Sequence, residues 1–189
     1  MMPRFTQQKM HNGPACLARF LSIFVSLFLF IISPCHASPN LITGQWYVVN
    51  QTTAPIKALP LTGGDFVFKG TLQVAQTGDY VIDFKNTSTF AMFKHSVRDS
   101  RNEVVAELQG GISSKEINPF ALRHAREVHL DAGSYTLETS LKTPYLIAQP
   151  QPYLDSKEHY QQAIKLGNMI AILCLGILTG LMSYYIVLG

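Results

Sequence analysis

The sequence predicts an all-β domain, an antiparallel β-sandwich, which is followed by a short linker and one transmembrane α-helix. Apolar and polar side chains alternate through much of the middle of the chain, which is the period of a half-buried strand. Turn-forming residues recur at roughly 8–15-residue intervals, a spacing typical of antiparallel sandwiches. Residues 169–188 carry no charge, and a helix of these 20 residues spans about 30 Å, the thickness of a bilayer's hydrocarbon core.

The N-terminal segment, residues 1–37, has the three parts of a secretory signal peptide. A basic start is followed by an apolar run over residues 20–32, and Ser33-Pro34 then ends the helical pattern. Small residues at the end of the segment predict cleavage after Ala37. Two alternatives remain open, an uncleaved signal anchor and a lipoprotein signal whose lipid-bearing residue would be Cys35.

Charge and cysteine content restrict what the rest of the chain can do. Three of the 15 Lys and Arg lie before residue 20, and the other 12 are balanced by the 12 Asp and Glu. The predicted mature chain is therefore neutral, which argues against binding to nucleic acid. The three cysteines lie in the predicted signal and membrane segments, so residues 38–167 offer neither a disulfide nor a cysteine-based metal site.

Seven strands are predicted in residues 38–153, which we assign as an extracytoplasmic sandwich domain. Turn sequences such as Thr77-Gly78-Asp79 and Asp131-Ala132-Gly133 separate them, and residues 109–125 lack a regular period and are predicted to form a loop. The predicted strands cover residues 45–49, 65–74, 80–84, 90–97, 103–108, 126–130 and 134–141. The alternation within them predicts a core formed by Phe66, Phe68, Ile82, Phe84, Leu130, Tyr135 and Leu137.

The segment after the predicted sandwich leads to the membrane. Residues 144–152 are rich in proline and predicted to be extended, and residues 154–167 are predicted to form a polar helical linker with Ser156 as its N-cap. Residues 168–189 are assigned as a transmembrane helix. Because no polar flank follows this helix, we expect it to be the first of several in a longer protein. A short, semi-rigid connection of this kind is expected to carry a shift of the sandwich into the membrane helix.

Three stretches of sequence carry a resemblance to a known family. They are GDYVIDFKNTS at residues 78–88, VHLDAGSYTL at 128–137 and LGILTGLMSYY at 175–185. In these stretches and in its domain order, the chain resembles the type 2 extracytoplasmic sensor region and first membrane helix of bacterial seven-transmembrane receptors with diverse intracellular signalling modules. The resemblance implies a jelly-roll-like sandwich that senses a ligand in the periplasm and is anchored in the bacterial inner membrane. It also implies that any output domain lies beyond residue 189.

Residues able to perform catalysis or to bind a metal are not grouped in the sequence. His95, His124, His129 and His159 are scattered, and their spacing matches neither a helical pair nor a compact metal cluster. The Asp and Glu residues mostly lie beside predicted turns, where solvation or capping explains them. The sequence therefore predicts neither an enzyme nor a bound cofactor.

Five residues are candidates for binding a ligand. Trp46 is the only tryptophan, and an aromatic side chain at a sandwich edge can stack on a sugar ring, although a lone tryptophan also suits the core. Arg98, Arg101, Arg123 and Arg126 can form an anion-binding rim if their two loops meet, and otherwise they form a solvated loop surface. The expected ligand is an unidentified small molecule, either a carbohydrate or an anion.

The predicted membrane helix contains a face suited to close helix packing. Gly176 and Gly180 are four residues apart, and small residues at this spacing let two helices approach closely. The face is expected to pack inside a helical bundle or, in a lone anchor, to form a homo-oligomer. Two functions remain open: a sensor domain that signals to its membrane helix, and a stand-alone membrane-tethered binding or assembly protein of the cell envelope.

Overall fold

The computed structural model describes residues 40–49, 54–86, 90–120 and 124–188. The predicted signal peptide and Arg123 lie outside the described residues. Within them the chain forms nine strands and one helix, which are β1 Asn40–Leu41, β2 Thr43–Val48, β3 Gly64–Val74, β4 Gly78–Lys85, β5 Met92–Arg98, β6 Val104–Gly110, β7 Arg126–Leu130, β8 Gly133–Thr143, β9 Gln151–Ser156 and α1 Lys157–Leu188.

The strands form two antiparallel sheets, which confirms the predicted fold class. Sheet A has four strands in the order β1-β9-β4-β7, and sheet B has five strands in the order β2-β3-β8-β5-β6. Every pairing within the two sheets is antiparallel. From β3 onward the chain passes repeatedly from one sheet to the other, as in a double-sheet jelly roll. A single long apolar helix, α1, follows the sandwich.

The core lies between the inner faces of the two sheets and matches the alternation in the sequence. Six of the seven predicted core residues are at most 3% exposed. The seventh, Tyr135, is half-buried and packs against the part of the core that contains Phe68, Ile82, Leu130 and Leu137. In one part of the core the Phe84 ring meets Phe90 and Phe93 edge-on, with ring centroids 4.8 and 5.4 Å apart. Such edge-to-face pairs are a favourable arrangement of aromatic rings. The sequence period therefore identified the inner faces correctly.

One side of the sandwich is closed where the chain crosses between the sheets. Strand β1 belongs to sheet A and β2 to sheet B, and only Ile42 separates them. The Ile42 N–H donates a hydrogen bond of 3.1 Å to the carbonyl of Pro152, and the Ile42 side chain is buried in the core. This crossing fixes the first residues of the domain to β9.

Strand β9 occupies part of the segment that the sequence predicted to be a proline-rich connection. It pairs with β4 from Gln151 to Ser156, and α1 begins at the next residue, so no separate linker follows the sandwich. Proline usually argues against an inner strand because it lacks an N–H group. The Pro152 carbonyl faces Ile42, and in an antiparallel strand the nitrogen of the same residue faces the same side. Pro152 therefore removes no hydrogen bond from the ladder with β4.

Candidate functional site at the junction of sheet A and the helix

Trp46 lies on β2, the edge strand of sheet B, and is half-buried. Its ring packs against Phe68 with the centroids 5.2 Å apart, and its indole N–H donates to the Pro150 carbonyl at 3.3 Å. The polar atom of the side chain is therefore already bonded within the domain. The ring forms the boundary between the core and a surface groove.

The groove beside Trp46 has a volume of about 400 Å³. Its wall includes Gln151 and Pro152 of β9, the strand that continues into α1. The Gln149 side chain, which also lines the groove, holds the neighbouring loop by accepting from the Leu59 N–H at 2.7 Å and donating to the Leu59 carbonyl at 2.9 Å. The groove is lined by Leu41, Ile42, Thr43, Gly44, Trp46, Lys57, Phe68, Gln149, Pro150, Gln151 and Pro152.

Arg98 and Arg101 lie at the β5–β6 hairpin, as the sequence suggested, but each has a local partner. The Arg101 guanidinium forms ion pairs of 3.1 Å with Asp99 and with Glu103. Arg98 donates to the Asn102 carbonyl at 3.2 Å. Both guanidinium groups are therefore bonded to partners within the hairpin itself.

Arg126 lies at the start of β7 and is buried, 6% exposed. Its Nε donates to the Gln109 carbonyl at 2.6 Å, and its guanidinium lies 5.5 Å from the centre of the Phe93 ring. Gly110 makes this possible, because a Cβ there would collide with both the guanidinium and the ring. Burial lowers the pKa of Arg126 from its usual value, although Glu116 and Asp83 act in the opposite direction. Arg126 thus joins the edge strands β6 and β7 and closes the second side of the sandwich.

The predicted arginine rim is not assembled by the arginines that the structure describes. Arg126 contacts Phe93 at the start of β5, whereas Arg98 ends that strand, five residues and about 17 Å away. The β5–β6 ladder separates the two groups because it runs the full length between them. Arg123, the fourth member, lies outside the described residues.

The most distinctive polar group is Asp83 on β4, which is fully buried. It lies on the outer face of sheet A, under the first turns of α1. The Tyr160 hydroxyl donates to Asp83 Oδ2 at 2.6 Å, and the Tyr153 hydroxyl donates to the same oxygen at 3.3 Å. The other oxygen, Oδ1, accepts from the Phe84 N–H at 2.7 Å. A strand of the sandwich, the last strand and the helix thus meet at one carboxylate.

An apolar layer surrounds this carboxylate and packs α1 against sheet A. Its buried members are Val81, Phe120, Ala125 and Tyr160, and Ile164 packs against them from the next turn of the helix. The Phe120 and Tyr160 rings meet edge-on, with centroids 4.9 Å apart. The helix is therefore docked on the sandwich for about two turns before its apolar segment begins.

Polar contacts fix the first turn of α1 as well. The Ser156 hydroxyl accepts from the His159 N–H at 3.3 Å, which confirms the predicted N-cap. His159 also contacts the Asp155 carboxylate at 2.8 Å, and Lys157 forms an ion pair of 2.6 Å with Glu127 on β7. The hydrogen bond that Lys157 donates to the Glu127 carboxylate raises the pKa of Lys157. The helix start is thus bonded both to itself and to the neighbouring strand.

His95 lies in the core between the sheets rather than at a surface site. Its Nδ1 is 2.7 Å from the Thr139 hydroxyl, and its Nε2 has no hydrogen-bond partner in the described part of the chain. Burial, with a smaller contribution from Arg126, lowers the pKa of His95 to about 3, so the ring is neutral at physiological pH. Within the described ranges, no group of three or more His, Cys, Asp or Glu is placed to hold a metal ion.

The apolar part of α1 leaves the sandwich and has no packing partner there. Among the described residues, one helix, Lys157–Ile186, is long and apolar enough to cross a membrane, and its most apolar 18 residues have a mean hydropathy of 2.0. Gly176 and Gly180 have open space where a side chain would be. The Thr179 and Ser183 hydroxyls each donate to the carbonyl four residues earlier at 2.9 Å, so this face is small and has its hydroxyls satisfied.

Sequence reasoning missed the junction around Asp83. One local signal was available: Val81 is apolar on the face of β4 opposite the core, next to Asp83, so that face had to be covered. The covering residues come from α1 and from the segment between β6 and β7, and Tyr160 is 77 residues away in the chain. The alternation in β4 alone does not identify that partner.

Comparisons with known proteins add little to this geometry. No family model matches the chain, and no curated protein matches it. Among solved structures, the chain is similar to a family 35 carbohydrate-binding module from Clostridium thermocellum, with 11% identity and a TM-score of 0.33. The match covers 62% of this chain and 96% of the module. The fold assignment of this chain rests on its own strand order and pairing.

Proposed function

We propose that the chain is the sensor part of a bacterial membrane receptor, in which the β-sandwich binds a small ligand in the periplasm and passes its occupancy to α1. A β-sandwich followed by one candidate membrane-spanning helix fits a membrane-tethered binding domain. The observation that carries the signalling part is the junction, where β9 continues into α1 without a linker and Tyr160 is bonded to the buried Asp83. A rigid junction of this kind transmits motion, whereas a flexible tether loses it.

The route from ligand to helix begins in the groove beside Trp46. Gln151 and Pro152 of β9 form part of its wall, and the same strand reaches α1 after Ser156. A ligand that binds more tightly to one position of β9 shifts the equilibrium toward that position, by as much as its differential affinity allows. Because Tyr160 ties the helix to β4 as well, a shift of β9 relative to β4 changes the tilt or rotation of α1.

The binding half of the proposal is tested by fluorescence. Trp46 is the chain's only tryptophan and lines the groove, so its emission reports on occupancy. The full chain in lipid nanodiscs is titrated with sugars and with small inorganic anions, the two ligand classes that the sequence suggests. A saturable change in emission identifies a ligand, and substitution of groove residue Gln149→Ala should weaken it. No response across the panel, together with no shift in melting temperature, contradicts a binding role for this groove with these ligand classes.

The signalling half is tested by distance measurements with the ligand found. Spin labels at the exposed positions Thr136 and Lys165, in a chain whose native cysteines are replaced by serine, report the position of α1 relative to sheet B. A ligand-dependent distance change that disappears in Tyr160→Phe while binding persists supports the sensor. Binding without any movement in the wild-type chain contradicts signalling and favours a stand-alone tethered binding protein.

A further inference from the structure

The strand register shows in which direction α1 leaves the sandwich. We define the Lys85 end as the end of the sandwich where β4 finishes, and the Gly78 end as the end where β4 begins. The helix starts beside Tyr80, because Ser156 pairs with Tyr80, and one turn later Tyr160 reaches Asp83. Asp83 lies three residues closer to the Lys85 end than Tyr80. The helix therefore runs along sheet A toward the Lys85 end.

The lengths of the two elements match. From Tyr80 to Lys85, β4 covers about 17 Å. The helix also covers about 17 Å between Lys157 and Asn168, and the uncharged run begins with Met169. The apolar segment of α1 thus begins level with the Lys85 end of the sandwich. If α1 spans a bilayer, the loops at this end lie at the membrane surface.

Those loops expose large apolar side chains. Ile112 and Ile117 follow β6, Tyr145 and Ile147 follow β8, and Leu61 precedes β3, with exposed fractions of 74%, 93%, 48%, 72% and 59%. Hydrogen bonds tie these loops to the same end of the sandwich, because the Ile112 N–H donates to the Phe90 carbonyl and the Leu146 N–H to the Leu61 carbonyl. At the Gly78 end, the exposed large apolar residues within the described ranges are Val104 and Val105, each less than half exposed.

Charged side chains are also distributed unevenly between the two ends. Four exposed lysines lie at the Lys85 end against two carboxylates; at the Gly78 end, apart from the first turn of α1, where Lys157 is balanced by Glu127, four carboxylates lie against two arginines. The neutral domain is therefore polarised, with its positive end toward the start of the apolar helix. The groups at the Lys85 end are Lys85, Lys115, Lys142 and Lys165, with Asp65 and Glu116, and those at the Gly78 end are Asp79, Asp99, Glu103 and Asp131, with Arg98 and Arg101.

We propose that the Lys85 end of the sandwich docks on the membrane surface, with its exposed isoleucines, leucine and tyrosine in the lipid interface and its lysines against anionic headgroups. Apolar and aromatic side chains combined with lysines are the composition of an interfacial membrane-binding surface. The inference rests on the part of the proposed function in which α1 spans the membrane. It adds a second contact that holds the sandwich upright against the bilayer, independent of any ligand.

The test uses the full chain in nanodiscs with an environment-sensitive fluorophore on single cysteines, after the native cysteines have been replaced by serine. The probe is placed at Ile147 and at Ile112 on the proposed surface, at Ser100 on the hairpin of the Gly78 end as a matched exposed control, and at Leu178 in the helix. Nanodiscs contain phosphatidylcholine with or without phosphatidylglycerol, and each contains a lipid-borne quencher. Trp46 emission and circular dichroism confirm that every labelled chain keeps its fold.

We expect blue-shifted emission and loss of most of the intensity to the quencher at Ile147, Ile112 and Leu178, and neither effect at Ser100. Charge reversal in the double variant Lys115→Glu, Lys142→Glu should reduce quenching at Ile147 in phosphatidylglycerol discs and leave Leu178 unchanged. Quenching at Leu178 with none at Ile147 and Ile112 overturns docking while the spanning helix stands. A blue shift at Ile147 without lipid quenching also overturns it, since a second copy or another protein then covers the surface. Absence of quenching at Leu178 refutes the membrane-spanning role of α1 itself.

Discussion

The bond between Tyr160 and Asp83 makes a measurable prediction about stability. Tyr160→Phe removes one hydroxyl and keeps the ring in place against Phe120, so it leaves no large cavity. The lost bond is 2.6 Å long and ends on a fully buried carboxylate. Hydrogen bonds to charged groups contribute about 1.5–3 kcal/mol. Because Tyr153 and the Phe84 N–H still donate to Asp83, we expect a loss near the middle of that range, about 2 kcal/mol.

The free energy of unfolding is measured by urea titration of the full chain in detergent micelles, followed by Trp46 emission. The Tyr160→Phe midpoint should fall with an unchanged slope, because the surface exposed on unfolding is the same. Tyr145→Phe is the control, since Tyr145 is 48% exposed and its change should stay within about 0.5 kcal/mol. Combining Tyr160→Phe with Asp83→Asn should give a coupling energy of about 0.5–3 kcal/mol. A Tyr160→Phe effect no larger than the control would refute the view that this bond holds the helix on the sandwich.

Three further predictions concern the core, the edge and the N-terminus. Below pH 6.5 the unfolded chain protonates His95, while the folded chain does not until about pH 3. The contribution of His95 to the free energy of unfolding should therefore fall by about 1.4 kcal/mol for each unit by which the pH is lowered within that window. The free energy of unfolding of His95→Leu, measured by denaturation, should depend less on pH than that of the wild-type chain. Equal slopes in the two chains would be inconsistent with a neutral buried ring. Arg126→Ala should lower the free energy of unfolding by about 2–4 kcal/mol, because it leaves buried carbonyls unpaired. Arg101→Ala should lower it by less than about 1 kcal/mol. A larger loss for Arg101→Ala than for Arg126→Ala would assign Arg126 to the surface. N-terminal sequencing of the membrane-extracted protein should begin at Ser38, and an intact initiator end would establish the signal anchor instead.

The strands with clear alternation could be predicted from the sequence because the signal is local. From Phe66 in β3 and from Tyr135 in β8, every second residue is apolar or small and faces the core, so the strand and its inner face follow from the same period. Two strands escaped prediction for different reasons. Strand β1 is two residues long, too short to show a period. Strand β9 contains Pro152, which argues against an inner strand; here the position that lacks an N–H faces Ile42 rather than β4.

It was harder to predict the roles of individual side chains in and near the candidate site, because these roles depend on partners that are distant in the sequence. Arg126 looks like a surface arginine in sequence, and its burial depends on a close approach that Gly110 permits 16 residues earlier. Asp83 resembles the polar half of an alternating strand, yet it is buried by residues far away in the chain, Phe120 and Ala125 before β7 and Tyr160 in α1. Trp46 was assigned either to the core or to a binding edge; its ring packs against Phe68 and also lines a surface groove, and its role in binding stays a prediction. Local periodicity locates elements, whereas these roles arise from long-range contacts.

Because β9 continues directly into α1, the rotation of the helix about its own axis is fixed relative to the sandwich. Each residue of an α-helix turns the chain by about 100° and lifts it by about 1.5 Å. Deleting one residue between Ile164 and Met169 would therefore turn the face that Gly176 and Gly180 present by more than a quarter of a circle relative to the sandwich. Inserting about seven residues, close to two full turns, would restore the direction of this face within about 20° while moving it about 10 Å further from the sandwich along the helix axis. Fusions that join this sandwich to a different apolar helix must respect that periodicity, because length alone does not determine which way the two parts face.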